Sequence, residues 1–234
     1  MKTLSVIALA LWPALLLCQQ PSGANPRQPG QLAADNSDQT PAESKRLFGI
    51  IPNYRTSASL LNYEPLTTKQ KFTVARQDAF DRGTVILAAA FAGEGQLTNA
   101  NPSFGQGGAG YGRYFATSYA DYVIGDYMTE AIFPTVLHQD PRFFRKGKGS
   151  TFSRLVYSAG QVFVTHGDNA KTQFNYSEVL GNSAAVAIGM SYYPDNRNAS
   201  DAATKLGTQI GVDMASNVLK EFSPDISRLF SRKH

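Results

Sequence analysis

The chain has 234 residues, a net charge of +4, 42% hydrophobic residues and a single cysteine. That length and hydrophobic fraction suit one domain with its own core, and one cysteine excludes an internal disulfide framework. Beyond residue 46 no apolar run approaches the about 20 residues of a membrane-crossing helix, which excludes a multi-span membrane protein.

Met1-Lys2, the apolar run over residues 4–17 and the small residues Ser22-Gly23-Ala24 make residues 1–24 a secretory signal peptide. Export to the periplasm or the outer membrane of a bacterium sets aside nucleic acid and nucleotide cofactors as partners. Cys18 closes the apolar run and raises a lipoprotein alternative, although Leu17 before it is larger than lipidation sites prefer. Cleavage after Ala24 removes Cys18 altogether. Residues 25–46 are rich in Pro, Gln, Asn and Ser and read as a disordered linker. Residues 47–234 then form a single helical domain.

Thr67 and Gln70 form a capping box that opens a helix running to about residue 92, with residues 84–92 apolar all round. Residues 93–110, with Pro102 and glycines at 105, 107, 108 and 110, read as a long loop. A second helix covers residues 110–138, kinked or ended near residue 133 by Pro134. A third covers 151–165 and stops at the turn residues Gly167, Asp168 and Asn169.

Two further helices carry small residues every fourth position: Gly181, Ala185 and Gly189, then Gly207, Gly211 and Ala215. Such strips let helix backbones approach closely, so the pair is expected to form an antiparallel hairpin packed strip on strip. It also offers a surface for homo-oligomerisation. The adjoining stripe Leu206, Ile210, Met214, Val218 and Phe222 is expected to bury against the rest. The fold class is mainly α, a compact bundle of about five helices, with a β-barrel as the alternative for a Gly- and Tyr-rich chain.

Arg142, Arg145, Lys146, Lys148 and Arg154 interleave with Phe143, Phe144 and Phe152, and Arg228, Phe230, Arg232 and Lys233 repeat the theme. Cations beside aromatics suit anionic lipid or lipopolysaccharide phosphates. The plainer reading is a solvated basic loop with its phenylalanines in the core. Asp126 and Glu130 lie one helical turn apart, a spacing that serves metal binding, acid–base work or an ion pair with Arg113 or Arg154. His138-Gln-Asp140 and His166-Gly-Asp168 are two His-x-Asp triplets that could close a zinc or manganese site, although both sit in turn contexts. Asp126, Glu130, His138 and His166 together define an alternative function, a periplasmic metal-dependent hydrolase. No metal or other cofactor is expected on the leading reading.

Three motif matches lack their structural context. Gly105-Gln-Gly-Gly-Ala-Gly110 fits a dinucleotide pattern but follows no strand, so a glycine-rich loop with Arg113 in the next turn would at most cradle an anion. Gly181-Asn-Ser-Ala-Ala185 resembles a nucleophile elbow inside a small-residue helix face. Ser153-Arg154 with His166 is spaced wrongly for an exported lipid phosphatase.

Gly105-Gln-Gly, Gly110-Tyr-Gly-Arg-Tyr-Phe115, Asp140-Pro-Arg-Phe-Phe144, Tyr192-Tyr-Pro194 and Lys220-Glu-Phe-Ser-Pro-Asp-Ile226 resemble a family of uncharacterised exported proteins from environmental bacteria. The resemblance covers residues 64–226. It implies a single envelope domain and transfers no catalytic residue. The leading expectation is a non-enzymatic structural or binding protein at a membrane surface.

Overall fold

The computed structural model describes residues 63–231 and three short segments before them, β1 (Arg46–Leu47), β2 (Ile51–Pro52) and β3 (Thr56–Ser57). The signal peptide, Cys18 and all but the last residue of the 25–46 linker lie outside the described residues. So do Arg232 and Lys233. Arg46, that last residue, pairs with Pro52 across the β1–β2 ladder.

The described chain is mainly helical, without a barrel. Helix α1 (Thr68–Ala79) starts where the sequence says, because Thr67 and Gln70 exchange both capping-box hydrogen bonds. It does not run on to residue 92. Asp81 accepts the Gly83 amide and starts a second helix, α2 (Arg82–Leu97). The expected long loop is correspondingly short: a 3₁₀ turn at Pro102–Phe104 leads into α3 (Gly107–Asp126). Gly110 is needed there, since a Cβ at that position would meet the Gly105 carbonyl oxygen at 2.3 Å.

Pro134 does not end the next stretch. A π turn (Tyr127–Ile132) follows α3 directly and feeds α4 (Phe133–Val136), with Pro134 in the first turn of α4. A π turn displaces the carbonyl ladder, so the missing proline amide and its ring are accommodated. β4 (Phe143–Phe144) pairs in parallel with β3.

The third expected helix is shorter than residues 151–165. α5 (Thr151–Gly160) gives way to a hairpin of β5 (Val164–His166) and β6 (Thr172–Phe174). α6 (Tyr176–Gly189) and α7 (Ala199–Ser231) complete the order.

The close-packed hairpin through two small-residue strips is overturned. Gly181 sits against Thr129 and the Met128 backbone of the π turn, and Gly189 against Asp121 and Tyr192. Gly207 and Gly211 face open space. The α7 stripe is not its buried face either: Leu206, Ile210, Met214, Val218 and Phe222 are half-buried, whereas Asn217, Lys220, Glu221 and Ser223 are buried. This inversion recurs elsewhere. The interior holds Lys71, Glu130, Gln139, Asp140 and Glu221 beside small alanines, while Ile86, Leu97, Val136 and Phe152 are at the surface. One aromatic cluster, Phe104, Tyr114 and Tyr193 on Ala92, forms the apolar centre.

Candidate functional site

The two His-x-Asp triplets do meet, but through their backbones. The Asp140 amide donates to the His166 carbonyl at 2.8 Å and the Asp168 amide to the His138 carbonyl at 2.9 Å, an antiparallel bridge centred on Gln139 and Gly167. The side chains then diverge. His138 has positive φ and an exposed side chain, 3.7 Å from Asp168. His166 is buried edge-on against Phe144, and burial pushes its imidazole pKa down.

Each carboxylate is already held by a cation. Lys71, itself buried, donates to both Asp168 oxygens at 2.9 and 3.0 Å and to the Pro134 carbonyl. Arg142 forks onto Asp140 through Nε and Nη2, reaches the Glu64 carbonyl and lies over the rings of Tyr63 and Phe144. Burial opposes the Arg142 charge, but the Asp140 hydrogen bonds outweigh it and raise its pKa. Tyr63 adds a hydroxyl donor to Asp140, and burial first, then that carboxylate, keeps the phenol protonated.

The metal-hydrolase set does not assemble. Glu130 is buried within the π turn and Asp126 lines a cleft; among the described residues no three His, Cys, Asp or Glu side chains group to hold a metal ion. Of the two arginines expected beside these carboxylates, Arg113 donates to the Phe104 carbonyl and Arg154 turns to α7.

The basic segment is also corrected in part. Arg154 pairs with the fully buried Glu221 at 2.7 Å and with Asp225 at 2.7 Å, over the ring of Phe222. Glu221 further accepts the Lys146 and Gly147 backbone amides, each at 2.9 Å. Arg145 is half-buried and reaches the Glu221 carbonyl at 3.4 Å. Arg142 and Arg154 are therefore spent on intramolecular pairs. Lys146 and Lys148 remain exposed, with Lys146 Nζ on Ser153 in the first turn of α5.

With its polar side turned to α7, α5 shows its apolar side to solvent. Phe152, Leu155 and Val156, at 74%, 42% and 56% exposure, share one face by their spacing. The Phe163 amide donates to the Gly160 carbonyl, so the turn carries on to Phe163, which stacks on Phe174, and Phe174 meets Tyr176 edge-on. All three of those rings are exposed.

A cleft of about 270 Å³ lies between α2, α3, α6 and α7. Asp121 on its wall accepts the hydroxyls of Tyr192 and Tyr193 at 2.5 and 2.7 Å, with Lys205 3.5 Å away and seated on the Tyr193 ring. Burial lowers the Lys205 pKa against the pull of Asp121. Across the cleft Asn182 bridges Glu178 and Asp213. Tyr122 stands among Asp213, Asp126 and Asp121; burial first and these carboxylates next hold its hydroxyl protonated. Such a phenol donates hydrogen bonds and is no nucleophile near neutral pH.

Asp126 is the one sequence-derived candidate in this cleft. The rest was missed because Asp121 lies on α3, Tyr193 in the loop before α7, and Lys205 and Asp213 two turns apart on α7, with no motif joining them; the Tyr192-Tyr193 pair before Pro194 was a local signal. No family model, curated protein or solved structure matches this chain.

Proposed function

We propose that this chain is a non-enzymatic protein of the bacterial cell envelope that docks reversibly on an anionic membrane surface through the outward face of α5. The observation that carries the reading is the inverted helix: Arg154 of α5 turns inward to Glu221 while Phe152, Leu155 and Val156 face solvent. An amphipathic helix with an apolar face and flanking lysines lies naturally in the plane of a bilayer interface. Lys146 and Lys148 supply the flanking charge, in place of Arg142 and Arg154. No described helix is long and apolar enough to cross a membrane, and the proposed contact requires none.

Full burial of a large apolar side chain is worth about 1.5–3 kcal/mol, so three partly exposed ones contribute about 3–5 kcal/mol. Two lysines near an anionic surface add about 1 kcal/mol each. The sum corresponds to half-binding between about 10 µM and 0.2 mM lipid, which makes docking peripheral and salt-sensitive.

Co-sedimentation with phosphatidylcholine/phosphatidylglycerol vesicles tests this. The wild-type chain should pellet, and Phe152→Ser with Leu155→Ser should weaken binding at least about tenfold at an unchanged melting temperature. Equal pelleting of the variant, or none by the wild type, sinks the reading. A high-pH carbonate wash separates peripheral docking, which it releases, from lipidation at Cys18, which it does not.

A further inference from the structure

We propose that the cleft between α2, α3, α6 and α7 binds a small organic cation, an ammonium group carried on an aromatic or alkyl body. The inference is independent of membrane docking. A volume of about 270 Å³ sets the size: it lies just under the about 300–1,000 Å³ of ordinary small-molecule sites, enough for one compact molecule.

The charge sets the sign. Glu94, Asp121, Asp126 and Asp213 line the cleft against the single lysine Lys205, in a chain whose overall charge is +4. An anion would meet four carboxylates in a partly desolvated space. Among the described residues no three His, Cys, Asp or Glu side chains close on one point as a metal site's would. The carboxylates are spread as a larger body requires.

The walls set the chemistry of that body. Phe91 and Tyr122 present rings 6.1 Å apart, with Tyr114 and Tyr193 nearby in the lining. Ammonium groups bind over such ring faces, more strongly where water is excluded. The cleft already holds one ammonium this way: Lys205 Nζ is 3.0 Å from the centre of the Tyr193 ring and 3.5 Å from Asp121. The same lining sets the Tyr122 ring beside Asp213 and Asp126, again a ring with carboxylates. Gln209, also in the lining, has its Oε1 shielded from solvent without a hydrogen-bond donor, which an ammonium N–H would supply.

Isothermal titration of the full chain with 2-phenylethylammonium chloride, and in parallel with neutral 2-phenylethanol, tests the proposal. The cation should give saturable binding at millimolar concentration or below, and the alcohol should bind at least about tenfold more weakly. Asp213→Asn should weaken the cation by a similar factor and leave the alcohol unchanged. Should Asp213→Asn lower the melting temperature, Glu94→Gln at the same cleft, together with the cation–alcohol comparison on the wild type, decides. No saturable heat with the cation, equal binding of both probes, or undiminished binding by folded Asp213→Asn and Glu94→Gln overturns it.

Discussion

Replacing Arg154 with Met separates the structural role of the basic segment from any role at a membrane. Arg154 is 11% exposed, and its partner Glu221 is wholly enclosed. The substitution keeps an apolar stem over Phe222 but leaves the Glu221 carboxylate without its guanidinium. Removing one member of a buried ion pair costs about 3–5 kcal/mol. Here the lower end applies, because the Lys146 and Gly147 amides still bond Glu221. A loss of about 3 kcal/mol corresponds to a fall of about 6–12 °C in melting temperature for a domain of this size. Urea unfolding should show a lower midpoint at an unchanged slope. Vesicle binding by the folded variant should equal that of the wild type, since the Arg154 charge is neutralised internally. A loss below about 1 kcal/mol would refute the buried-pair argument; full stability with weakened vesicle binding would place Arg154 at the membrane instead.

Gly110→Ala should destabilise by about 1–3 kcal/mol, because the new Cβ meets the Gly105 backbone at 2.3 and 2.7 Å. Gly207→Ala and Gly211→Ala, at helical positions with open space, should each stabilise by about 0.5–1 kcal/mol in the same urea assay; a loss at either would restore the close-packed strip. His166 has its pKa lowered by burial, so the unfolded chain binds a proton more readily than the folded one. Its contribution is therefore complete above the ordinary value of 6.5 and is lost as pH falls below it toward the folded value. Melting curves between about pH 7.5 and 5 should fall with pH, and His166→Gln should flatten that slope; an identical slope in the variant would remove His166 as the cause.

The sequence by itself determined that the chain is mainly helical and where α1 and α5 begin. The Thr67–Gln70 capping box and the breaker loop at residues 192–198 are local signals, and local structure realises them. The Asp81 cap was equally local but lay hidden within a pattern that reads as one continuous helix. What only the tertiary structure decided is the side each helix turns inward. Hydrophobic periodicity locates a stripe and assigns it to the core by default. In α5 and α7 the inward side is instead chosen by Arg154 and Glu221, residues 67 positions apart whose pairing leaves no periodic trace. Desolvating a charge is costly unless its partner arrives with it, so a buried ion pair fixes the orientation of both helices at once and sends Phe152, Leu155 and Val156 outward. The cleft follows the same logic: Asp121, Lys205 and Asp213 acquire a common environment only when α3 and α7 both pack on α6, which no spacing along the chain encodes.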